Sequence, residues 1–213
     1  MFSDEGGFIM VITIARQFGS GGRRIGYELA EKLGIAYYDK NLLTLVAQES
    51  GMDPEVIDGI DEKATNSLLY SLSIGAAATF DNTFRIEPQL PMNDRLFLAQ
   101  HDVIRKISHD PCVIVGRCAD YILKGREDLV RLFIYADMNS RVEYAIKEYD
   151  VNPQKAHSVV TKTDKTRSNY YNYYSTRKWG DPNNYDLCIN SSSLGIEGSV
   201  DLIEYYLKVK GMI

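Results

Sequence analysis

The segment ARQFGSGGRRIG, residues 15–26, is the most informative part of this sequence for its fold. It follows an apolar, β-branched run at Met10–Ile14 and precedes a helical pattern carried by Ile25, Leu29 and Leu33. Glycine tolerates positive φ and lets a backbone close around an anion. The N-terminus of the following helix directs free N–H groups toward the same place. The stretch therefore predicts a phosphate-binding turn between a strand and a helix.

The same stretch supplies both the backbone and the positive charges of the predicted phosphate site. The expected nucleotide-binding residues are Gly19, Ser20, Gly21, Gly22, Arg23 and Arg24. The turn departs from the G-x-x-x-x-G-K-[ST] pattern, because Arg23 replaces the lysine and Arg24 replaces the hydroxyl residue. Arginine can still hold phosphate oxygens through paired hydrogen bonds. The missing hydroxyl leaves the Mg²⁺ ligand unassigned, with Ser20 as a candidate substitute.

The same stretch also imitates a dinucleotide-binding fingerprint. Gly19-Ser20-Gly21 is followed by Asp39, twenty residues beyond Gly19. That fingerprint needs a third small residue where this chain has Arg24, and no obvious hydride-transfer site follows. A dinucleotide-binding oxidoreductase is kept as the weaker alternative.

Strand-like and helix-like runs alternate from end to end, which predicts an α/β fold with a parallel sheet flanked by helices. The predicted strands are Met10–Ile14, Ile35–Tyr38, Cys112–Val115, Leu129–Tyr135 and Tyr185–Ile189. Between Thr65 and Asn93 the pattern weakens into a helix of uncertain extent followed by a loop. Because ligands bind at the carboxyl ends of parallel strands, we expect the chemistry just after each strand.

Composition narrows the class of protein. The 213 residues fit one α/β domain, and the net charge of −5 argues against a general nucleic-acid binder. The three cysteines lack a CxxC spacing, so neither a disulfide framework nor a zinc site is expected. No signal peptide or membrane span is apparent, which predicts a cytoplasmic protein. Met10 would make a natural start, so residues 1–8 are a candidate non-native extension.

Four segments together resemble the cytidylate kinase-like family, within the P-loop nucleoside monophosphate kinases. They are VITIARQFGSGGRRIGYELAEKLGIAYYDK, VIVGRCADYIL, FIYADMNSRVEYAI and DKTRSNYYNYYSTRKWGDPNNYDLCINSS. The resemblance covers nearly the whole chain from Met10 onward. It implies ATP and Mg²⁺ as cofactors and a nucleoside monophosphate, CMP or dCMP, as the acceptor. No other partner and no membrane are expected, and the oligomeric state is left open.

The resemblance also implies a three-layer P-loop kinase sandwich as a single domain over residues 1–213. Its core is expected at 9–39, 109–159 and 185–213, with a monophosphate-binding insertion at about 40–108 and a lid at about 160–184.

Within that lid, Asp164-Lys165-Thr166-Arg167 stands where cytidylate kinases carry Asp-Ser-Thr-Arg. The family's aspartate and arginine hold the substrate and the transferring phosphates, which implies catalytic roles for Asp164 and Arg167. On a helix, Tyr171 and Tyr174 continue the same face. A lid that closes on a ligand is expected, and a commonplace surface ion pair is the alternative.

Gly116-Arg117 resembles the Gly-Arg-Asp after the third core strand of cytidylate kinases, whose arginine grips the acceptor phosphate. Arg117 is therefore expected to be catalytic, with a solvated arginine at a strand end as its alternative. Arg23 of the phosphate-binding turn is the other arginine expected to be catalytic. The aspartate that helps read cytosine is Cys118 here, with Asp120 as a candidate substitute.

Three further residues complete the expected substrate site. Asp39 is similar to the family's residue that contacts the nucleoside, with helix N-capping as its alternative. Arg141 recurs in the family, with a solvated side chain as its alternative, and Tyr171 of the predicted lid is expected to bind the substrate. For the whole chain, a nucleotide-sensing module without turnover is the alternative function, because the phosphate-binding turn departs from the usual pattern.

Overall fold

A computed structural model describes residues 10–55, 57 and 90–213. Their contacts divide the chain into two units, one of Met1–Asp39 with Ile104–Ile213 and one of Lys40–Val103. The predictions for residues 1–9 and 65–89 lie outside the described residues. In the part of the chain that is described, no helix is long and apolar enough to cross a membrane.

The first unit contains a parallel sheet of five strands in the order β2-β3-β1-β4-β5. The strands are β1 (Val11–Arg16), β2 (Ala36–Tyr38), β3 (Cys112–Val115), β4 (Leu129–Tyr135) and β5 (Leu187–Asn190). Val11 of the central β1 lies opposite both Cys112 and Leu129. The predicted parallel α/β sheet is confirmed. The dinucleotide-binding alternative does not fit this order, because β3 separates β1 from β2 whereas the classic dinucleotide fold pairs them.

Helices connect the strands in the way that the apolar spacing predicts. In chain order they are α1 (Gly22–Leu33), α2 (Asn41–Ser50), α3 (Met92–Ile107), α4 (Ala119–Ile122), α5 (Met138–Tyr149), α6 (Ala156–Ser175) and α7 (Ser191–Val209). A short 3-10 helix, Pro182–Asn184, precedes β5.

The sheet of the first unit is covered on both faces. On one face, α1 and α7 pack on the strands through a buried cluster that includes Ile12, Ile14, Leu29, Leu132 and Ile203. On the other face, Phe133 packs edge-on against Trp179 with ring centroids 5.4 Å apart. This burial fixes the strands rigidly, so the residues at their carboxyl ends are held in defined positions.

The most informative difference from the sequence prediction concerns α6. The helix begins at Ala156, before the predicted lid, and runs unbroken to Ser175. Its buried positions are few, at Ala156, Val160, Tyr171 and Ser175, so the apolar spacing gives little helical signal. Helix α7 is interrupted near its start, because the backbone at Gly195 is non-helical.

Candidate phosphate-transfer site

The turn after β1 is shaped by two glycines. Gly19 and Gly21 have φ values of 79° and 70°, in the left-handed region. A Cβ at Gly19 would lie 2.3 Å from the carbonyl oxygen of Arg141, so a side chain there would collide with backbone. Helix α1 begins at Gly22, immediately after this turn. Its first N–H groups therefore face the loop, as an anion site requires.

Ser20 holds the loop in shape through its hydroxyl. The Ser20 Oγ donates to the carbonyl oxygen of Gln17 at 2.9 Å and accepts from the Gly22 N–H at 3.4 Å. From the start of α7, the Ser191 Oγ donates to the Ser20 carbonyl oxygen at 2.7 Å. The predicted use of Ser20 as a metal ligand would compete with these bonds. Ser191 was missed in the sequence, although it directly follows a strand end.

The two adjacent arginines point to different partners. The Arg23 Nε lies 2.5 Å from Asp39 Oδ2, and the Arg23 carbonyl oxygen accepts from the Tyr37 hydroxyl at 3.1 Å. Arg24 pairs with Glu28 one helical turn away at 2.5 Å, and its side chain is 60% exposed. Arg23 thus joins α1 to the end of β2, while Arg24 lies on the outer surface of α1.

Asp39 is buried at the end of β2 and lies close to two arginine side chains. Besides Arg23, it lies 3.7 Å from Nη2 of Arg16, the last residue of β1. Helix α2 begins at Asn41, and its N-cap residue Lys40 makes no side-chain capping bond. Asp39 therefore belongs to a charged cluster at the carboxyl ends of β1 and β2.

The backbone turns sharply after β3, at Gly116, Arg117 and Cys118. Gly116, Arg117 and Cys118 have consecutive φ values of 80°, 60° and 56°, all in the left-handed region. Such backbone is costly for the two non-glycine residues and recurs at functional sites. The Cys118 thiol is buried, and burial raises its pKa well above the usual range. The thiol of Cys118 is therefore neutral.

Helix α6 is tied directly to the loop by Asp164. The Phe18 backbone N–H donates to Asp164 Oδ1 at 2.7 Å, and Arg141 Nη1 donates to Asp164 Oδ2. Arg141 is buried and also contacts the Met138 sulfur at 3.7 Å. The alternative of a solvated Arg141 is therefore excluded. Asp164 of α6, which is paired with Arg141 of α5, thus holds the loop that follows β1 in place.

Arg167 reaches the same loop one turn further along α6. Its Nη1 donates to the carbonyl oxygen of Arg16 at 3.0 Å, and its guanidinium lies 5.5 Å from the Phe18 ring centroid. Burial, followed by the positive charge of Arg16, lowers the pKa of Arg167. The positive side chains of Arg16 and Arg167 thus lie close together with little access to water. A bound anion would stabilise the two charges.

Asp120 and Tyr171, both predicted to bind substrate, are bonded to each other. The Tyr171 hydroxyl donates to Asp120 Oδ2 at 2.6 Å, and both side chains are buried. Burial raises the pKa of Asp120, whereas the bond from Tyr171 lowers it. The pair links α6 to α4, so both residues have a structural partner in addition to any role toward a ligand.

We expect Tyr171→Phe to lower the free energy of unfolding by about 1–3 kcal/mol at neutral pH, because it removes the side-chain hydrogen bond to a buried carboxylate. The loss should shrink toward acid pH. Without the bond the pKa of Asp120 rises further, and a protonated carboxyl costs less to bury. Urea unfolding at two pH values measures both effects. A loss that is the same at acid and neutral pH would contradict this account.

Metal ligands are not preassembled in the part of the chain that the structure describes. No group of three His, Cys, Asp or Glu side chains there could hold an ion. Mg²⁺ is commonly bound through one or two carboxylates together with substrate phosphates.

The structure brings several predicted residues into one cluster at the ends of β1, β2 and β3. This cluster, hereafter the arginine cluster, consists of Arg16, Arg23, Asp39, Arg117, Asp164 and Arg167. Arg117 belongs to it because its positive charge interacts with that of Arg16, and the other members are joined by the interactions described above. Arg24 and the Asp120–Tyr171 pair have partners of their own. Arg16 lies in the segment after β1 where chemistry was expected, but no role of its own was predicted for it.

Comparison with known proteins identifies the family and the fold of this chain. A model of the cytidylate kinase-like family matches residues 11–193. No curated protein matches significantly. A crystal structure of an uncharacterized protein from Eubacterium ventriosum shares 27% identity and a TM-score of 0.68, covering 93% of this chain and 98% of that one.

Two shikimate kinases share the fold alone. The enzyme from Acinetobacter baumannii, solved with shikimate, is 12% identical with a TM-score of 0.54, over 94% of each chain. The enzyme from Bacteroides thetaiotaomicron is 10% identical with a TM-score of 0.51, over 93% of this chain and 98% of that one. The family match spans most of the sequence. The chain belongs to the cytidylate kinase-like family and has the fold of the P-loop kinases.

Proposed function

We propose that the protein transfers the γ-phosphoryl group of ATP to a nucleoside monophosphate, with CMP or dCMP as the acceptor. One observation carries the proposal beyond family membership. Helix α6 presents Asp164 and Arg167 directly to the phosphate loop, at the Phe18 N–H and the Arg16 carbonyl oxygen. A cation placed there can act only on a group held by that loop, which is where the transferred phosphoryl would lie.

The proposed reaction needs no covalent intermediate. An oxygen of the acceptor phosphate bonds to the γ-phosphorus as the bond to the β–γ bridging oxygen breaks, and ADP leaves. The loop N–H groups hold the donor phosphates, Arg117 orients the acceptor phosphate, and Arg167 stabilises the charge on the moving group. Closing residues 160–184 over the site as a lid would exclude water and limit hydrolysis of ATP.

Mg²⁺ enters this proposal as the companion of ATP, neutralising its phosphate oxygens. No ligand from this chain is assigned to the ion, since the Ser20 hydroxyl is bonded within the loop and Arg24 has no acceptor oxygen. The nucleotides are the proposed partners, and a cytoplasmic location remains a prediction.

The acceptor is tested by measuring ADP release with CMP, dCMP, UMP and AMP, alongside shikimate and gluconate. We expect turnover with pyrimidine monophosphates and none with the two non-nucleotide acceptors. The neutral Cys118 should weaken the preference for cytosine over uracil relative to a carboxylate at that position. Turnover confined to a non-nucleotide acceptor would overturn the proposal.

A nucleotide-sensing module without turnover is the second candidate. The surface position of Arg24, where P-loop kinases have a hydroxyl residue, favours it. The same assay separates the two functions. Tight binding of ATP and CMP by calorimetry without ADP release would favour the sensor.

Arg117→Ala should raise KM for the monophosphate at least tenfold while changing KM for ATP little, since its proposed partner is the acceptor phosphate alone. Losing one charged hydrogen-bonding partner typically costs about 1.5–3 kcal/mol. Steady-state kinetics with each substrate varied in turn measures the split. Equal effects on both KM values would assign Arg117 to holding the turn after β3.

A further inference from the structure

Arg16 occupies the centre of the arginine cluster. It is the last residue of β1, and its side chain is only 20% exposed. A Cβ at Gly22 would lie 2.7 Å from the Arg16 Cβ, and a Cβ at Gly116 would lie 2.1 Å from the Arg16 Nη1. The stem of Arg16 therefore covers the N-terminus of α1, and its guanidinium lies against the end of β3. Both glycines make room for this one side chain.

The guanidinium of Arg16 has unused hydrogen-bonding capacity. Its ion pair is with Asp39 at 3.7 Å, beyond hydrogen-bond distance, and it donates no hydrogen bond to any residue of the described ranges. Arg117 and Arg167 both interact with it as like charges. Burial lowers its pKa, Asp39 opposes that effect and Arg117 adds to it. An arginine in this state is stabilised by an additional anion.

We propose that Arg16 binds the phosphoryl group in transfer and supplies the charge that a P-loop lysine would supply. The inference rests on the proposed function. The side chain spans from the donor loop at Gly22 to the acceptor side at Gly116, which is the path that the phosphoryl group must follow. Arg23, which stands at the lysine position of the sequence pattern, is instead engaged with Asp39.

A purely structural pairing of Arg16 with Asp39 is the competing explanation. The same protein shows what such a pair looks like. Arg131 donates to Asp186 through Nε at 3.0 Å and through Nη2 at 2.8 Å. Arg16 makes neither bond to Asp39, although it is at least as buried as Arg131. Its geometry is that of a group held ready for a phosphate, which can accept two such bonds.

The test compares Arg16→Met with Arg131→Met, which removes an arginine–aspartate pair elsewhere in the sheet. Inorganic tripolyphosphate is the probe, and the readout is its shift of the thermal midpoint. We expect the shift to fall by more than half in Arg16→Met and to persist in Arg131→Met. Where the kinase assay is active, kcat of Arg16→Met should fall at least about 100-fold, the loss typical of removing one transition-state donor.

The outcomes separate this inference from the proposed function. A full tripolyphosphate shift in Arg16→Met would overturn the role of Arg16 even if the protein proves to be a kinase. A lost shift in a protein without turnover would support phosphate binding by Arg16 and refute the reaction. Should Arg16→Met not fold, Arg16→Lys is expected to retain part of the shift and Arg16→Gln to lose it. Equal shifts in those two variants would contradict the proposal.

Discussion

Arg167→Ala is expected to lower kcat by about 10²–10³-fold, the loss typical of removing one preorganised donor. Its guanidinium is held at the phosphate loop by the Arg16 carbonyl oxygen, beside the positive charge of Arg16. Because the phosphoryl group gains charge on its outer oxygens during transfer, the contact should strengthen in the transition state. The KM for ATP should therefore change much less than kcat.

The control for Arg167→Ala lies two residues away on the same helix. Lys165 is exposed, so Lys165→Ala removes one positive charge from α6 without touching the loop. We expect it to retain kcat within about twofold, as is usual for a surface substitution. Equal losses in the two variants would mean that only the overall charge of α6 matters. An active Arg167→Ala would require another residue to stabilise the transferring group.

Asp164→Ala is expected to have the largest effect on stability. The substitution leaves the buried Arg141 guanidinium without its carboxylate and the Phe18 N–H without its acceptor. Removing one partner of a buried ion pair costs about 3–5 kcal/mol. For a chain of this size, that loss lowers Tm by at least about 6 °C. Differential scanning calorimetry measures it, and kcat should fall as well because the loop loses its anchor.

A double variant distinguishes the charge of Arg141 from the anchoring of the loop. Arg141→Met/Asp164→Leu removes both charges of the pair, and apolar replacement of buried pairs is often neutral for stability. We expect Tm to recover in large part while activity stays low, because the Phe18 N–H still lacks its acceptor. Recovery of both would show that Asp164 serves only to neutralise Arg141.

The strands were predictable because they are short apolar runs bounded by polar residues. β3 and β4 have the predicted bounds, and β1 differs by one residue at its start and two at its end. The phosphate turn was predictable because left-handed glycines followed by a helix have few other uses. Helix α6 was not recognised as one long element, since most of its surface is polar.

Side-chain partners were less predictable than elements. Asp120 and Tyr171 were placed separately at the substrate site, but they lie 51 positions apart and are bonded to each other. Arg141 and Asp164 likewise meet only because α5 and α6 pack together. Arg16 has no local signature, because its place over Gly22 and Gly116 depends on three strand ends converging. Such contacts depend on the order and packing of the strands and helices, and the spacing of residues in the sequence does not reveal these.

The central place of β1 has a consequence for biosynthesis. Its neighbours begin at Cys112 and Leu129, so it has no strand to pair with until about a hundred more residues have been made. At typical ribosomal speeds of about 5–20 residues per second, this wait lasts on the order of ten seconds. Meanwhile a β-branched segment, Val11–Ala15, is exposed on the nascent chain. Chaperone capture of this segment would decide how much of the newly made protein reaches the native sheet.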